Sequence, residues 1–314
     1  MAVRVAATLH VADHIAGGRR TATTMAAAES VEADVLDRVL RHLVSVGVLG
    51  RDDDGGYALG SAGEFLAEGH PWGLRALLDI EGGIGRAELA FVHLLHSVRT
   101  GEAGFPLLYG RGFWEDMASD ATRTASYDAQ MGADARRWAA QVVDALDWAR
   151  FGSVIDVGGG NGTLLSSLLI AHPALRGTVF DQPATAEAAR ITLASAGVAD
   201  RADVVAGSFF DPLPPGAGAY VLCAVLHDWP DDGARAILRR AAEAAGSTGR
   251  VVVIEKTGAG GESTSTDMDL RVLIHYGARE RGVTELVGLA ASVGLDVVAV
   301  HPAGDISIVE LRPT

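Results

Sequence analysis

The second half of the chain sets the tightest limit on its fold. Apolar, largely β-branched runs at Val154–Val157, Thr178–Asp181, Asp203–Ala206, Ala219–Leu226, Arg250–Glu255 and Asp296–Val300 alternate with helical stretches such as Leu164–Ala171, Ala184–Ala196, Gly233–Ala245 and Val283–Ser292. Parallel strands need a long crossover, usually a helix, so this alternation predicts an α/β domain whose mostly parallel sheet is covered on both faces. Asp305–Leu311 reads as one further strand. It follows Val300 after the short turn His301-Pro302-Ala303-Gly304, so the last two strands are expected to form an antiparallel hairpin. Ligands of such sheets sit at the carboxyl ends of the strands, and those ends carry the informative residues.

The first strand runs into Asp156-Val157-Gly158-Gly159-Gly160-Asn161-Gly162-Thr163. A dinucleotide site wants G-x-G-x-x-G with its amides on a pyrophosphate. Counting from Gly158 and Gly160, the last required position is Thr163, so the loop suits a nucleoside cofactor without a pyrophosphate. The second strand ends at Asp181, where a carboxylate in register with the loop can accept both ribose hydroxyls. The third gives Gly207-Ser208-Phe209-Phe210-Asp211-Pro212, in which Ser208 can bond an adenine edge and Phe209 can pack on its face. The fourth gives Leu226-His227-Asp228-Trp229-Pro230-Asp231-Asp232. Pro230 and its acids are explained as a helix start. His227 has no such explanation, and it stands where a substrate would approach.

Composition narrows the partners. The 314 residues carry 26 basic and 40 acidic side chains, a formal charge of −14. That balance opposes both phosphate backbones and anionic membranes, so neither nucleic acid nor membrane is an expected partner. No apolar run reaches the roughly 18–20 residues of a membrane span. The single cysteine, Cys223, excludes an internal disulfide framework, and a cytoplasmic location is expected.

The first part of the chain reads differently. Val3, Ala7, Val11 and Ile15 mark one helix over residues 3–15. Thr21 opens a short helix, and Ser30 is expected to cap a longer one with Val31, Val35 and Val39 beside Leu36, Leu40 and Leu43. Val48–Leu49 and Tyr57–Leu59, around Asp52–Gly56, read as a hairpin. Helix, helix, hairpin is a winged-helix order. Residues 1–70 hold six Arg against ten acids, so dimerisation is expected rather than DNA binding. The division expected is a helical, winged domain at 1–100 and a ligand-binding domain with linking helices at 101–314. Phe105, Tyr109, Phe113, Trp114, Met117, Met131 and Trp138 gather in the linking region. Packing explains each of them singly. As a group they can form an aromatic-substrate pocket, with Trp114 and Met131 its chosen walls.

Asp156–Gly162, Gly207–Pro212, Leu226–Asp231, Val251–Glu255 and Gly277-Ala278-Arg279-Glu280-Arg281 occur in this order along the chain. Together they resemble the S-adenosylmethionine-dependent small-molecule O-methyltransferases of the plant caffeate type and of bacterial aromatic polyketide tailoring. The resemblance spans nearly the whole chain, and its His-Asp-Trp and Arg-Glu-Arg segments are far more specific than the glycine loop. It implies a Rossmann-like methyltransferase domain, a winged-helix dimerisation domain and a homodimer. S-adenosyl-L-methionine is the implied cofactor and S-adenosyl-L-homocysteine its product. His227 falls at the family's general base, and Glu255 and Glu280 at the two carboxylates that orient it. Gly158 and Gly160 lie beside the methionine part of the cofactor, Asp181 at the ribose, and Ser208, Phe209 and Cys223 around the adenine. Met268 and His275 fall on the acceptor-pocket helix. Ser208 and Cys223 depart from an acid and a lysine found in the plant enzymes. The chain also starts close to its first helix, where relatives often carry a segment reaching across the dimer, and this bears on the pocket roof.

The chemistry fits these residue types. The sulfonium methyl is already activated, so the protein must align an oxygen nucleophile with it and exclude water. A phenol titrates near ~10 and a histidine near ~6.5, so His227 can take the proton as the nucleophile forms. Metal binding by His227, Glu255, Glu280 and His275 is the weaker reading, since no short ligand spacing such as H-x-x-x-H is expected in the chain, and no metal is expected. Two alternatives stand beside methylation of an aromatic hydroxyl: a relative with the same cofactor that hydroxylates or decarboxylates, and a winged-helix regulatory protein.

Overall fold

The computed structural model describes all 314 residues and divides them into two compact units, Met1–Leu89 and Ala90–Thr314. In the first unit α1 (Ala2–Thr8), α2 (Val11–Ala16), α3 (Ala22–Glu29) and α4 (Ala33–Ser45) precede the strands β1 (Leu49–Arg51) and β2 (Tyr57–Leu59). The short helices α5 (Leu74–Leu78) and α6 (Gly83–Glu88) follow. The core gathers Ala7, Val11 and Ile15 with Met25, Leu36, Leu40, Leu43 and Tyr57. Tyr57 adds a 2.6 Å bond from its hydroxyl to Asp37. The expected hairpin is present, with Leu49 opposite Leu59.

Three local expectations are corrected here. The helix read over residues 3–15 breaks at His10, whose φ of 46° cannot continue a right-handed helix. The chain does contain one His-x-x-x-His spacing, His10 and His14, and the break lets both approach Glu29, at 3.4 and 2.6 Å. Ser30 does not cap α4. It ends α3 at φ 57°, and Glu32 precedes α4 instead. Val31 and Val35 face solvent, and Leu36, Leu40 and Leu43 carry the buried side of α4. Thr21 does cap α3, accepting the Thr24 N–H.

The second unit opens with α7 (Leu94–Thr100), α8 (Phe105–Tyr109), α9 (Phe113–Ala118) and the long α10 (Ala121–Ala145). The sheet strands are β3 (Ser153–Val157), β4 (Arg176–Asp181), β5 (Ala202–Ala206), β6 (Ala219–Cys223), β7 (Arg250–Lys256), β8 (Leu295–Ala303) and β9 (Ile306–Pro313). Between them lie α11 (Thr163–Ala171), α12 (Pro183–Ser195), α13 (Asp231–Ala245), α14 (Thr266–Tyr276) and α15 (Val283–Ala291). The strand order is β5-β4-β3-β6-β7-β9-β8, with β9 antiparallel to both of its neighbours and the other pairings parallel. Both faces are buried, so residues alternate between two cores. Val221, Val252 and Ile254 pack with Leu164, Leu165 and Leu168 on one side, and Leu222, Val251 and Val253 with Ile237 and Leu286 on the other. No helix is long and apolar enough to cross a membrane.

Most strands shift by one or two residues from their expected bounds, and two strand ends move by three. The last turn is tighter than expected, because β8 runs on through His301–Ala303 and Pro302 pairs with Ser307. An edge strand tolerates proline, because one side of it needs no donors. The fourth parallel strand stops at Cys223 rather than Leu226. Ala224 turns to φ 51°, and a single 3₁₀ turn, Leu226–Asp228, follows.

Candidate active site

The chain leaves β3 toward β4 and β5, then returns to the other side of β3 as β6. This reversal opens a crevice at the carboxyl ends of β3 and β6, where an open α/β sheet binds its ligand. The glycine loop follows β3, and the His227 segment follows β6. The two touch: a Cβ on Gly158 would lie 2.9 Å from Val225 and 3.5 Å from the Phe209 ring. Gly158 also has a φ of 71°, so both its backbone and its surroundings demand glycine.

The loop end of the crevice is acidic and short of donors. Asp181 accepts the Gly160 N–H at 2.8 Å and the Gln182 N–H at 2.6 Å. A carboxylate has about four lone-pair sites, so Asp181 retains capacity for two hydroxyls. Asp156 is 2% exposed and neither carboxylate oxygen has a partner. Burial and then the nearby Asp181 push its pKa up to about 7. Asp128, on α10, is pushed up to about 6 by burial and by Asp181. The helix approaches closely here: a Cβ on Gly132 would stand 2.4 Å from Asn161, whose amide donates to the Asp128 carbonyl. Three clustered acids, two of them with pKa values pushed toward neutrality, fit a ligand bearing hydroxyls and positive charge. Ser208 bonds the Phe210 N–H, and Phe209 packs edge-on against Phe210 and Trp229. Cys223, the last residue of β6, lies within the field of Asp156 and Glu255, and burial pushes its thiol well up.

The other end of the crevice holds the histidine. Its Nδ1–H donates to Glu280 at 2.7 Å, and its Nε2 lies 3.4 Å from Asp228. Glu255 does not bond the ring. Its Oε1 accepts the Leu226 N–H at 3.0 Å, and its Oε2 is buried without a partner. That bond explains why β6 ends early, since a side chain from β7 takes the donor that a longer ladder would use. Burial alone would lower the His227 pKa, but Asp228, Glu255 and Glu280 outweigh it and push the pKa up to about 10. Burial raises Glu255 to about 7 and Asp228 to about 6. Arg281 is 2% exposed and braces the segment. Its guanidinium donates to the carbonyls of Leu226 and Trp229 at 2.7 and 2.8 Å and to Asp231 at 2.8 Å.

An aromatic wall adjoins the histidine. Trp114 stacks on Tyr276 at 5.5 Å and on Trp229 at 6.4 Å, and its buried indole N–H has no partner. Tyr127 and Tyr276 are hydrogen-bonded, and burial lifts both phenols well above their ordinary range. His275 packs between Phe91, Phe113 and Tyr276, and burial lowers it to about 4. Met131, on α10, and Met268, in the first turn of α14, are half-buried. Sequence reasoning missed Tyr127, Asp128, Tyr276 and the bracing by Arg281. None of these stands at a strand end, and each acts through neighbours far along the chain.

Residues 1–69 match the O-methyltransferase dimerisation domain, and residues 91–296 match the O-methyltransferase domain. Over 311 residues the chain is 53% identical to 2,7-dihydroxy-5-methyl-1-naphthoate 7-O-methyltransferase of Streptomyces carzinostaticus, covering 99% of this chain and 93% of that one. It is 40% identical to aclacinomycin 10-hydroxylase of Streptomyces purpurascens, over 98% of this chain and 84% of that one. The crystal structure of an O-methyltransferase from neocarzinostatin biosynthesis, in complex with S-adenosylmethionine and 2-hydroxy-5-methyl naphthoic acid, superposes with a TM-score of 0.92. That match has 52% identity and covers 100% of this chain and 95% of that chain. With both domains matched in order and a relative above half identity along nearly its full length, the chain belongs to the S-adenosylmethionine-dependent O-methyltransferase family.

Proposed function

We propose that this O-methyltransferase methylates a hydroxyl of a small fused-ring aromatic acid of the hydroxynaphthoate type, with His227 as general base. The carrying observation is the His227–Glu280 pair at 2.7 Å, set between the acidic loop end of the crevice and the Trp114–Tyr276 wall. The 53% identical naphthoate 7-O-methyltransferase supports the acceptor class.

S-adenosylmethionine supplies a methyl group already activated on a sulfonium. Gly158 and Gly160 give the methionine portion room, and Asp181 takes the ribose hydroxyls. Ser208, Phe209 and Cys223 flank the adenine. Trp114, Met131, Met268 and His275 shape the acceptor pocket, with Tyr127 and Tyr276 completing its wall. Glu280 fixes the ring of His227 through Nδ1, which leaves Nε2 to receive the hydroxyl proton. Glu255 acts one step back, holding the Leu226 backbone and adding negative charge near the imidazolium. Positioning removes much of the barrier, and the base contributes about 10²–10⁴-fold. The region 1–100 serves homodimer formation, and the enzyme works in the cytoplasm.

The test is incubation with labelled S-adenosylmethionine and a panel of hydroxynaphthoates. Label in an ether product supports the reading, and retained full activity in His227→Ala refutes the base assignment. A second reading, hydroxylation, is favoured by the 40% identity to aclacinomycin 10-hydroxylase. A product heavier by one oxygen, formed only under air, would replace the first reading.

A further inference from the structure

His227 presents a difficulty that its surroundings resolve. Asp228 faces it from its own segment, Glu255 from β7 and Glu280 from the loop after α14. Arg281, which braces the same segment, is occupied by Asp231 and by the Leu226 and Trp229 carbonyls. Tyr127 on α10 and Tyr276 on α14 lie in the field of Asp228, and Asp269 on α14 accepts the Glu280 N–H. Asp156, with both oxygens unpartnered, and Asp181 continue the acidic lining toward the glycine loop. Lys256, at the exposed end of β7, and His275, lowered by burial to about 4, are the other titratable bases nearby, so His227 is the imidazole set among an excess of buried acid. An imidazole so placed keeps its proton at neutral pH, and in that form it cannot accept another.

We propose that His227 carries a proton in the free enzyme and releases it to solvent when the cationic cofactor enters the crevice, so that the cofactor's positive charge readies the base. This rests on the cofactor reading above. S-adenosylmethionine and S-adenosylhomocysteine differ by one methyl group and one positive charge, so the second cannot drive the release to the same extent. The charge accounting also closes over the reaction. His227 gains the acceptor's proton as the positive charge on sulfur disappears, so the buried crevice keeps the same net charge from start to finish. The product complex then holds His227 protonated, the form that it also has in the empty enzyme.

The test is calorimetric binding to the full chain at pH 8.5 without acceptor, in two buffers of different ionisation enthalpy. The expected result is up to about one more proton released per site by S-adenosylmethionine than by S-adenosylhomocysteine. Their affinity ratio should rise with pH by at most tenfold per unit, between the bound and free pKa values of His227. The excess should vanish in His227→Gln, for which S-adenosylhomocysteine binding reports an intact site. Equal proton counts for the two ligands in the wild type would overturn the proposal. So would an excess that survives in His227→Gln, which would assign the proton to Asp156 or Glu255. If His227→Gln fails to fold, histidine-labelled NMR of the wild type decides, since an imidazole that stays protonated with S-adenosylmethionine bound overturns the proposal. If neither ligand binds, the cofactor reading itself fails, a result distinct from equal proton release.

Discussion

Replacing Glu280 by Gln preserves its shape and removes its charge. The wild-type carboxylate takes the Nδ1–H of His227 at 2.7 Å, and its side chain is 2% exposed, so solvent screens the pair little. Opposite charges about 4 Å apart interact by ~4 kcal/mol at an effective dielectric of ~20. Losing that attraction disfavours the imidazolium and lowers the His227 pKa by about three. In the free enzyme the wild-type ring is pushed up to about 10, so the free variant ring should titrate near ~7, and the bound cofactor lowers both values. A neutral amide also offers N–H as readily as C=O, so the tautomer with Nε2 free is no longer enforced. In a triad the equivalent change costs about 10⁴ in kcat, and here a loss of about 10²–10⁴ is expected. The assay is kcat against pH from 5.5 to 9.5 at saturating cofactor, with S-adenosylhomocysteine affinity and Tm as controls for folding. The acid limb should move to lower pH while the plateau falls. A plateau within threefold of wild type with an unmoved limb would refute the reasoning.

Further predictions concern the cofactor loop and the acceptor wall. The Asp156 pKa is raised by folding to about 7, so its contribution to stability is full below the unfolded value near ~3.9 and is lost as pH rises through 7. Asp156→Asn should therefore gain apo stability relative to wild type between those limits, by up to ~4 kcal/mol, and should bind cofactor less tightly. A Tm difference between variant and wild type that is the same at pH 5 and pH 8 would contradict this. Gly132→Ala places a methyl 2.4 Å from Asn161, which is tied to Asp128 and, at 2.7 Å, to the Thr163 hydroxyl. Overpacking of ~1–3 kcal/mol should outweigh the ~1 kcal/mol helix gain, and S-adenosylhomocysteine affinity should drop severalfold, whereas unchanged calorimetric affinity would show that the contact yields freely. Trp114→Ala removes the face stacked on Tyr276 and Trp229. It should raise the acceptor KM by about ten- to a hundredfold with cofactor affinity unchanged; a loss confined to cofactor binding would move Trp114 out of the acceptor wall.

Where the sequence is legible, local rules and strand ends explain why. Alternating apolar runs announce the sheet because both faces are buried, and Val251–Ile254 shows this directly, with successive residues entering opposite cores. His227 and Glu280 stand out because they sit in short, specific segments. The early end of β6 is not legible, because it depends on Glu255 reaching across to the Leu226 N–H. Ser30 has the chemistry of an N-cap and the position of a C-terminal residue, and only the packing of α3 against α4 decides between them. Tyr127 lies within a 25-residue helix, where nothing in the periodicity separates a pocket residue from a core one.

The reversal of strand order between β3 and β6 bears on how the molecule assembles. Its two working loops are neighbours in space, yet the strand–helix excursion through β4 and β5 separates them in sequence. The His227–Glu280 pair spans 53 residues and the Asn161–Asp128 contact spans 33. A fragment of the second unit that ends before β6 lacks the His227 segment and so one side of the crevice. Contacts of such long range close late in folding, after local helices and hairpins have formed. Cofactor affinity can therefore serve during refolding as a clock for the docking of β6 on β3. A saturating ligand, at a hundred times its Kd, would hold that docking closed by about 2.7 kcal/mol.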